Sequence, residues 1–506
     1  MVVAVVYSRA VIGIDAPLVS VETHLSPGLP AFNLVGLPET AVRESKERVR
    51  SAIINSGYEF PTRRITVNLA PADLPKHGTR FDLAIALGIL AASNQIPLTQ
   101  LQHTECIAEL ALSGSLRPVR GILPAALAAR NSARSILTAC GDECEAALVR
   151  DLDVYAGADL DSVCRHLNES ARLDKVLATT EEPPQRAEIP DLADIHGQYQ
   201  GKRAMEIAAS GGHNLLMIGP PGTGKTMLAT RLPGLLPPLT EDEAFESAAV
   251  LSISDLGFDI KQWRTRPFRS PHHTCSGVAL IGGGSIPRPG EVSLAHRGVL
   301  FLDELPEYER RTLEVLREPL ETGRVTISRA ARTASFPAAF QLIAAMNPCP
   351  CGYHGDTSGR CTCSIERIER YRERISGPLL DRIDMHIEMA RQSIWLESHP
   401  ETVIEASAAV RKRVDRARRS QLQRQAKLNH FLSGEELRRH AGLDTDCLTF
   451  MSQAFDRYYL SARAYHRIIK LARTIADLAG RANVELEHLH EALNLRCLDR
   501  VANRVA

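Results

Sequence analysis

Residues 219–226 read Gly-Pro-Pro-Gly-Thr-Gly-Lys-Thr, behind the apolar run "NLLMI" and ahead of a helix-like run. Glycines at that spacing let backbone N–H groups turn inward around phosphate oxygens, the lysine reaches the outer phosphates, and the adjoining hydroxyl ligates Mg2+. Gly219, Pro220, Pro221, Gly222, Thr223, Gly224, Lys225 and Thr226 are therefore the expected ATP cradle of a P-loop. A second apolar run, "GVLFL", delivers Asp303 and Glu304 at its polar end. Asp303 is expected in the Mg2+ shell and Glu304 beside the attacking water. A third, "QLIAAM", ends in Asn347, whose amide suits a sensor of that water or of the γ-phosphate. Arg382, in "PLLDRIDMHIE", could donate in trans to a neighbouring subunit's γ-phosphate; a surface arginine paired with Asp381 or Asp384 is the plainer alternative.

Directly after Asn347 come Cys349 and Cys351, then Cys361 and Cys363, with Gly352, Gly355 and Gly359 allowing tight turns between them. Four thiolates can close one tetrahedral Zn2+ site of structural kind, with unliganded thiols or a disulfide as alternatives. The other seven of the 11 cysteines are scattered singly, which fits a reducing compartment and makes the cytoplasm the expected location. Arg324, Arg329 and Arg332 lie without an acid among them in "GRVTISRAARTASFP", which alternates like a hairpin and suits DNA phosphate contacts or a charged edge that resists aggregation. The insert 266–296, with its apolar tip "GVALIGGGS", is long enough to be functional, and lining a channel is one use for it. The basic helical run 410–427 is either a solvated face or a DNA contact.

At 506 residues, the chain that positions these groups is long enough for two or three cores. Its 60 Lys+Arg balance 60 Asp+Glu, so net charge decides nothing about a nucleic-acid partner. The N-terminal run reads as a buried strand, not a signal peptide, and "LAIALGILAA" falls well short of the roughly 18 residues a membrane span needs. No membrane partner is expected. The pattern gives an α/β domain over 1–172, a linker over 173–192, an ATPase core over 193–392 and a helical lid over 393–506.

The segments "GPPGTGKT", "GVLFLDEL", "AAMNPCPCGY" and "LLDRIDMHIE", and above all 266–307, resemble the AAA+ family of magnesium-chelatase-like ATPases. The resemblance covers essentially the whole chain. It implies a homo-hexameric, ATP-driven DNA translocase or helicase that promotes branch migration on single-stranded and branched double-stranded DNA, during natural transformation or recombination and alongside recombination proteins. It also implies Arg382 as the finger and Arg463, in "LSARAYHRIIKLAR", as a second sensor on the lid. A chelatase-type motor or a protein remodeller is the competing expectation. The first domain resembles the Lon protease catalytic domain, but Arg80 stands where such proteases carry the serine and Ala125 about where they carry the lysine, so no acyl-enzyme chemistry is expected.

Overall fold

A computed structural model of the chain describes residues 3–36, 40–177, 189–284, 287–329, 332–356, 359–391 and 405–501; of Thr40, Ala41, Arg329, Arg332, Arg500 and Val501 it describes the backbone alone. Contacts divide the chain into two compact units, Met1–Gln185 with Ala248–Trp263, and Arg186–Ser247 with Arg264–Ala506. The sequence expectation puts 248–263 inside the ATPase core. In the structure this stretch packs with the first unit, where Gly121 N donates to Ser252 O at 3.0 Å and Arg120 pairs with Asp255.

In the first unit β1 (Ala4–Arg9), β2 (Leu18–Ser26), β3 (Ala31–Val35), β4 (Arg64–Ala70), β5 (Thr104–Ile107), β6 (Ser135–Ala139) and β7 (Val154–Gly157) form one mixed sheet in the order β3-β4-β2-β1-β5-β6-β7. Helix α1 (Asp82–Ala92) is apolar nearly all round and is buried from Asp82 to Ala91, as a helix without a polar face must be. It lies close to β2 because position 88 is glycine: a Cβ there would meet Thr23 Oγ1 at 2.5 Å. Arg80, just before α1, is buried and donates to the carbonyls of Arg9 and Arg120, and burial pulls its pKa down to about 10. Ala125 is fully buried in α2 (Ile122–Asn131).

The second unit holds the P-loop. Helix α3 (Tyr199–Gly211) leads into β8 (Leu215–Ile218), and α4 (Lys225–Leu235) follows the loop. With β9 (Phe268–Arg269), β10 (Val299–Leu302), β13 (Gln341–Met346) and β14 (Met385–Glu388), strand β8 builds a parallel sheet in the order β9-β10-β13-β8-β14. Between β10 and β13 come α5 (Arg317–Thr322) and the hairpin β11 (Arg324–Arg329) and β12 (Arg332–Pro337). Strands β8, β10 and β13 are buried at every residue, which is why each reads as a continuous apolar run rather than an alternating one. Their carboxyl ends place the P-loop, the paired acids and Asn347 side by side, the usual ligand edge of such a sheet.

The helical C-terminal region shares this core, since Val414 of α6 (Ser407–Gln425) and Ile468 and Leu471 of α7 (Ala462–Leu478) cluster with Leu215, Phe301 and Ile343. Truncating one such side chain to alanine costs about 2–5 kcal/mol. The expected linker lies partly outside the described residues, at 178–188, and the expected start of the lid, at 393, falls within 392–404, which lies outside them too. At the linker's end, Leu192 is buried in the core and Asp191 accepts from Ala193 N and Ser407 N, so this end is pinned rather than free. The apolar tip of the insert folds as a short helix, Gly277–Ile281, with Leu280 buried and Val278 exposed, followed by Gly282–Gly283 paired antiparallel with Arg288–Pro289.

Candidate nucleotide and metal sites

Gly222 (φ +78°) and Gly224 (φ +84°) sit in the left-handed region, where only the missing Cβ makes the turn cheap, since neither position is crowded. The loop closes around Lys225. Its ammonium donates to Gly219 O at 2.6 Å, Pro220 O at 2.9 Å and Asn347 Oδ1 at 3.3 Å, so its three N–H groups meet three acceptors. Burial lowers the Lys225 pKa, while Asp303 and Glu304 pull it back up. Thr226 Oγ1 donates to Asp303 Oδ2 at 2.8 Å, and Asp303 Oδ1 accepts from Glu304 N at 2.9 Å. Lys225, Thr226, Asp303, Glu304 and Asn347 are thus brought together from three strand ends.

Glu304 has φ +52°, a left-handed conformation that costs a residue with a Cβ on the order of 1–2 kcal/mol. Its half-exposed carboxylate lies 3.1 Å from His273 Nδ1. The His273 ring lies tilted against that of His272, with ring centroids 4.1 Å apart, and meets the Tyr308 ring in a T-shaped contact; the Tyr308 hydroxyl donates to Pro271 O at 2.7 Å. Sequence reasoning did not single out His273; adjacent histidines in an insert next to a nucleotide site were the available signal.

Arg382 and Arg463 do not join this group among the described residues. Arg382 is buried, and its guanidinium is held by the Glu321 carboxylate and by Pro378 O at 2.5 Å. Neither Asp381 nor Asp384, the partners weighed from sequence, takes that place. Asp384 is held by Arg467 of α7, and Arg463 is exposed one turn earlier on that helix. In the hairpin, Arg324 is exposed, Val325, Ile327, Ala334 and Phe336 are buried, and Arg329 pairs in register with Arg332 at the tip; the side chains of Arg329 and Arg332 lie outside the described residues.

Half of the basic helix α6 is committed inward. Arg413 pairs with Glu206 and Glu405, Arg424 donates to Asp477 at 2.6 and 2.9 Å, and Arg418 Nε donates at 2.7 Å to Ala209 O in the last turn of α3, a helix end that favours a cation. Lys412, Arg416 and Arg419 remain exposed.

Two side-chain clusters have ligand atoms close enough to share a metal ion, and their chemistry separates them. The sulfurs of Cys349, Cys351, Cys361 and Cys363 all lie within 4.8 Å of one another, with Cys349 to Cys351 at 3.3 Å, Cys349 to Cys361 at 3.8 Å and Cys351 to Cys361 at 3.7 Å. Four sulfurs at about 2.3 Å from one tetrahedral ion stand about 3.8 Å apart, so the set fits a thiolate-loving metal. The backbone N–H of Tyr353 helps to hold the Cys351 thiol down to about 6. All four thiols are free. In the other cluster, His213, Asp384 and His430, burial opposes ionisation of Asp384, but His430 and Arg467 keep its carboxyl well below the usual range. Its oxygens already accept from Asn214 N at 2.9 Å, from His430 Nδ1 at 2.8 Å and from Arg467. A carboxylate so committed beside a guanidinium is a polar clamp between β14 and α7, not a cation site.

The cysteine loop also touches the nucleotide loop. A Cβ at Gly352 would lie 2.8 Å from Pro221 Cδ, so the chain between the two cysteine pairs packs directly on the P-loop.

Three family models match the chain: "Magnesium chelatase, subunit ChlI" over residues 191–395, "Subunit ChlI of Mg-chelatase" over 21–140, and "Magnesium chelatase, subunit ChlI C-terminal" over 404–496. The chain is 49% identical over 509 residues to the competence protein ComM of Haemophilus influenzae, covering 100% of each. It is 48% identical over 501 residues to the uncharacterised protein YifB of Escherichia coli, covering 99% of this chain and 98% of that one. Over 170 residues it is 29% identical to Lon protease 2 of Bacillus subtilis, spanning 32% of this chain and 31% of the protease. No helix among the described residues is long and apolar enough to cross a membrane.

Proposed function

We propose that this chain, which belongs to the magnesium-chelatase-like family of P-loop ATPases, hydrolyses ATP and uses the energy to move on DNA, as a homo-hexamer that promotes branch migration in transformation or recombination. The observation that carries the ATPase reading is the meeting of Lys225, Thr226, Asp303, Glu304 and Asn347 at one sheet edge. An incoming phosphate competes with Gly219 O, Pro220 O and Asn347 Oδ1 for the Lys225 ammonium, which frees the Asn347 amide to face the outer phosphate or the water. Thr226 and Asp303 would hold Mg2+, which when bound neutralises charge between the outer phosphates. Glu304 orients and deprotonates the attacking water, a role worth about 10²–10⁴ in rate. Cys349, Cys351, Cys361 and Cys363 would hold Zn2+ as a structural pin.

DNA as the substrate is supported by a full-length relative named for competence and by the exposed Arg324 at the root of a hairpin that carries two more arginines. The second reading is a chelatase-type motor or protein remodeller, favoured by the match to the magnesium-chelatase subunit family. The deciding measurement is ATP hydrolysis by the purified protein with and without single-stranded or forked DNA. A several-fold rise is expected. Hydrolysis indifferent to both DNAs would favour the motor without DNA.

A further inference from the structure

The geometry points to Glu321 as a latch on Arg382: it holds the guanidinium inside its own subunit until the hairpin β11–β12 moves, so that displacement of the hairpin releases the arginine to a neighbour's nucleotide. This rests on the reading of Arg382 as a finger that acts in trans. Arg382 is 7% exposed, yet its Nε is buried without a hydrogen-bond partner among the described residues. The guanidinium is therefore not fully committed where it sits. The Glu321 carboxylate that holds it is 53% exposed and faces a cleft of about 560 Å³, which Arg382, Glu321, Glu318 and Arg317 help to line. A half-exposed carboxylate is a weak jailer, because water screens it. Phosphoryl oxygens offer an arginine fork the same two-pronged geometry with more charge.

Glu321 also sits where hairpin motion must reach it. It lies in the last turn of α5, capped by Gly323 at φ +68°, and β11 begins at Arg324. Thr322 Oγ1 donates to Glu318 O at 3.0 Å and accepts from Arg324 N at 3.2 Å, tying the first hairpin residue to the turn that carries Glu321. Ala338 N donates to Gly323 O at 2.8 Å, so the chain leaving β12 is anchored at the same point. A force on the hairpin is delivered to α5 rather than lost in a loop.

The test is steady-state ATP hydrolysis by full-length Glu321→Gln, which keeps the side-chain shape and removes the charge. We expect kcat without DNA to rise roughly 3- to 10-fold toward the DNA-stimulated value, with KM for ATP within about twofold of wild type. Adding Arg382→Ala should abolish the gain, which a merely structural role for Glu321 would not produce. An unchanged or lower DNA-free kcat in folded Glu321→Gln overturns the latch. Should that variant not fold, Glu321→Asp withdraws the carboxylate by one methylene and is read in the same way. If wild type ignores DNA while Glu321→Gln still gains rate through Arg382, the latch stands and the DNA reading falls. If Arg382→Ala alone leaves kcat intact, finger and latch fall together.

Discussion

At the scale of single residues, Lys225 and Glu304 do separable jobs. Lys225→Ala removes the cation that meets phosphate and should lose nucleotide binding, whereas Glu304→Gln keeps the cradle and should bind ATP while hydrolysis drops about 10²–10⁴-fold. Nucleotide titration and phosphate release on both variants check this. The cysteines make a second prediction: about one zinc per chain by metal analysis, and release of that metal by any single Cys→Ser at 349, 351, 361 or 363, since a closed tetrahedral site rarely survives loss of a thiolate. These residues were legible in the sequence because phosphate and metal chemistry fix residue type and short spacing together. The partner of Arg382 was not, because Glu321 lies 61 residues away and only the fold brings it near. The tie of Glu304 to His273 was hidden for the same reason.

At the scale of elements, the parallel strands were readable as uninterrupted apolar runs, and the hairpin as an alternating one. The basic run at 410–427 was not resolvable from sequence: helix α6 spends Arg413, Arg418 and Arg424 on the carbonyls and acids of its neighbours and leaves Lys412, Arg416 and Arg419 outside, a division that needs the packing partners to be known. Strand β14 carries a prediction of its own. His386 is fully buried there, and burial, reinforced by Arg496, lowers its pKa to about 3. A histidine with a depressed folded pKa is protonated first in the unfolded chain. Stability is therefore whole above the ordinary value of about 6.5 and falls as pH drops from there toward the folded pKa, by at most about 1.4 kcal/mol per pH unit. Urea unfolding of wild type and His386→Leu between pH 7 and pH 4 should show a flatter acid limb in the variant. Equal slopes would place the acid sensitivity elsewhere.

At the scale of the whole molecule, a trans role for Arg382 means that no subunit hydrolyses ATP alone. Arg382→Ala and Lys225→Ala chains, each inactive, should recover part of the activity when mixed, at interfaces that pair an intact arginine with an intact cradle. No recovery in mixed rings verified by mass would assign Arg382 to its own subunit. The two-unit division was only partly readable, because residues 248–253 continue the helix that begins at Glu241 and nothing local marks 248–263 as belonging with the first 185 residues. That interleaving bears on how the chain is made. The first unit cannot finish folding when residue 185 leaves the ribosome, because Ser252 and Asp255, which bind Gly121 and Arg120, are still to be synthesised. At about 5–20 residues per second the missing stretch is complete roughly 4–16 s later, after the P-loop has emerged. During those seconds a nascent first unit lacks its last piece, which comes from within the sequence of the second.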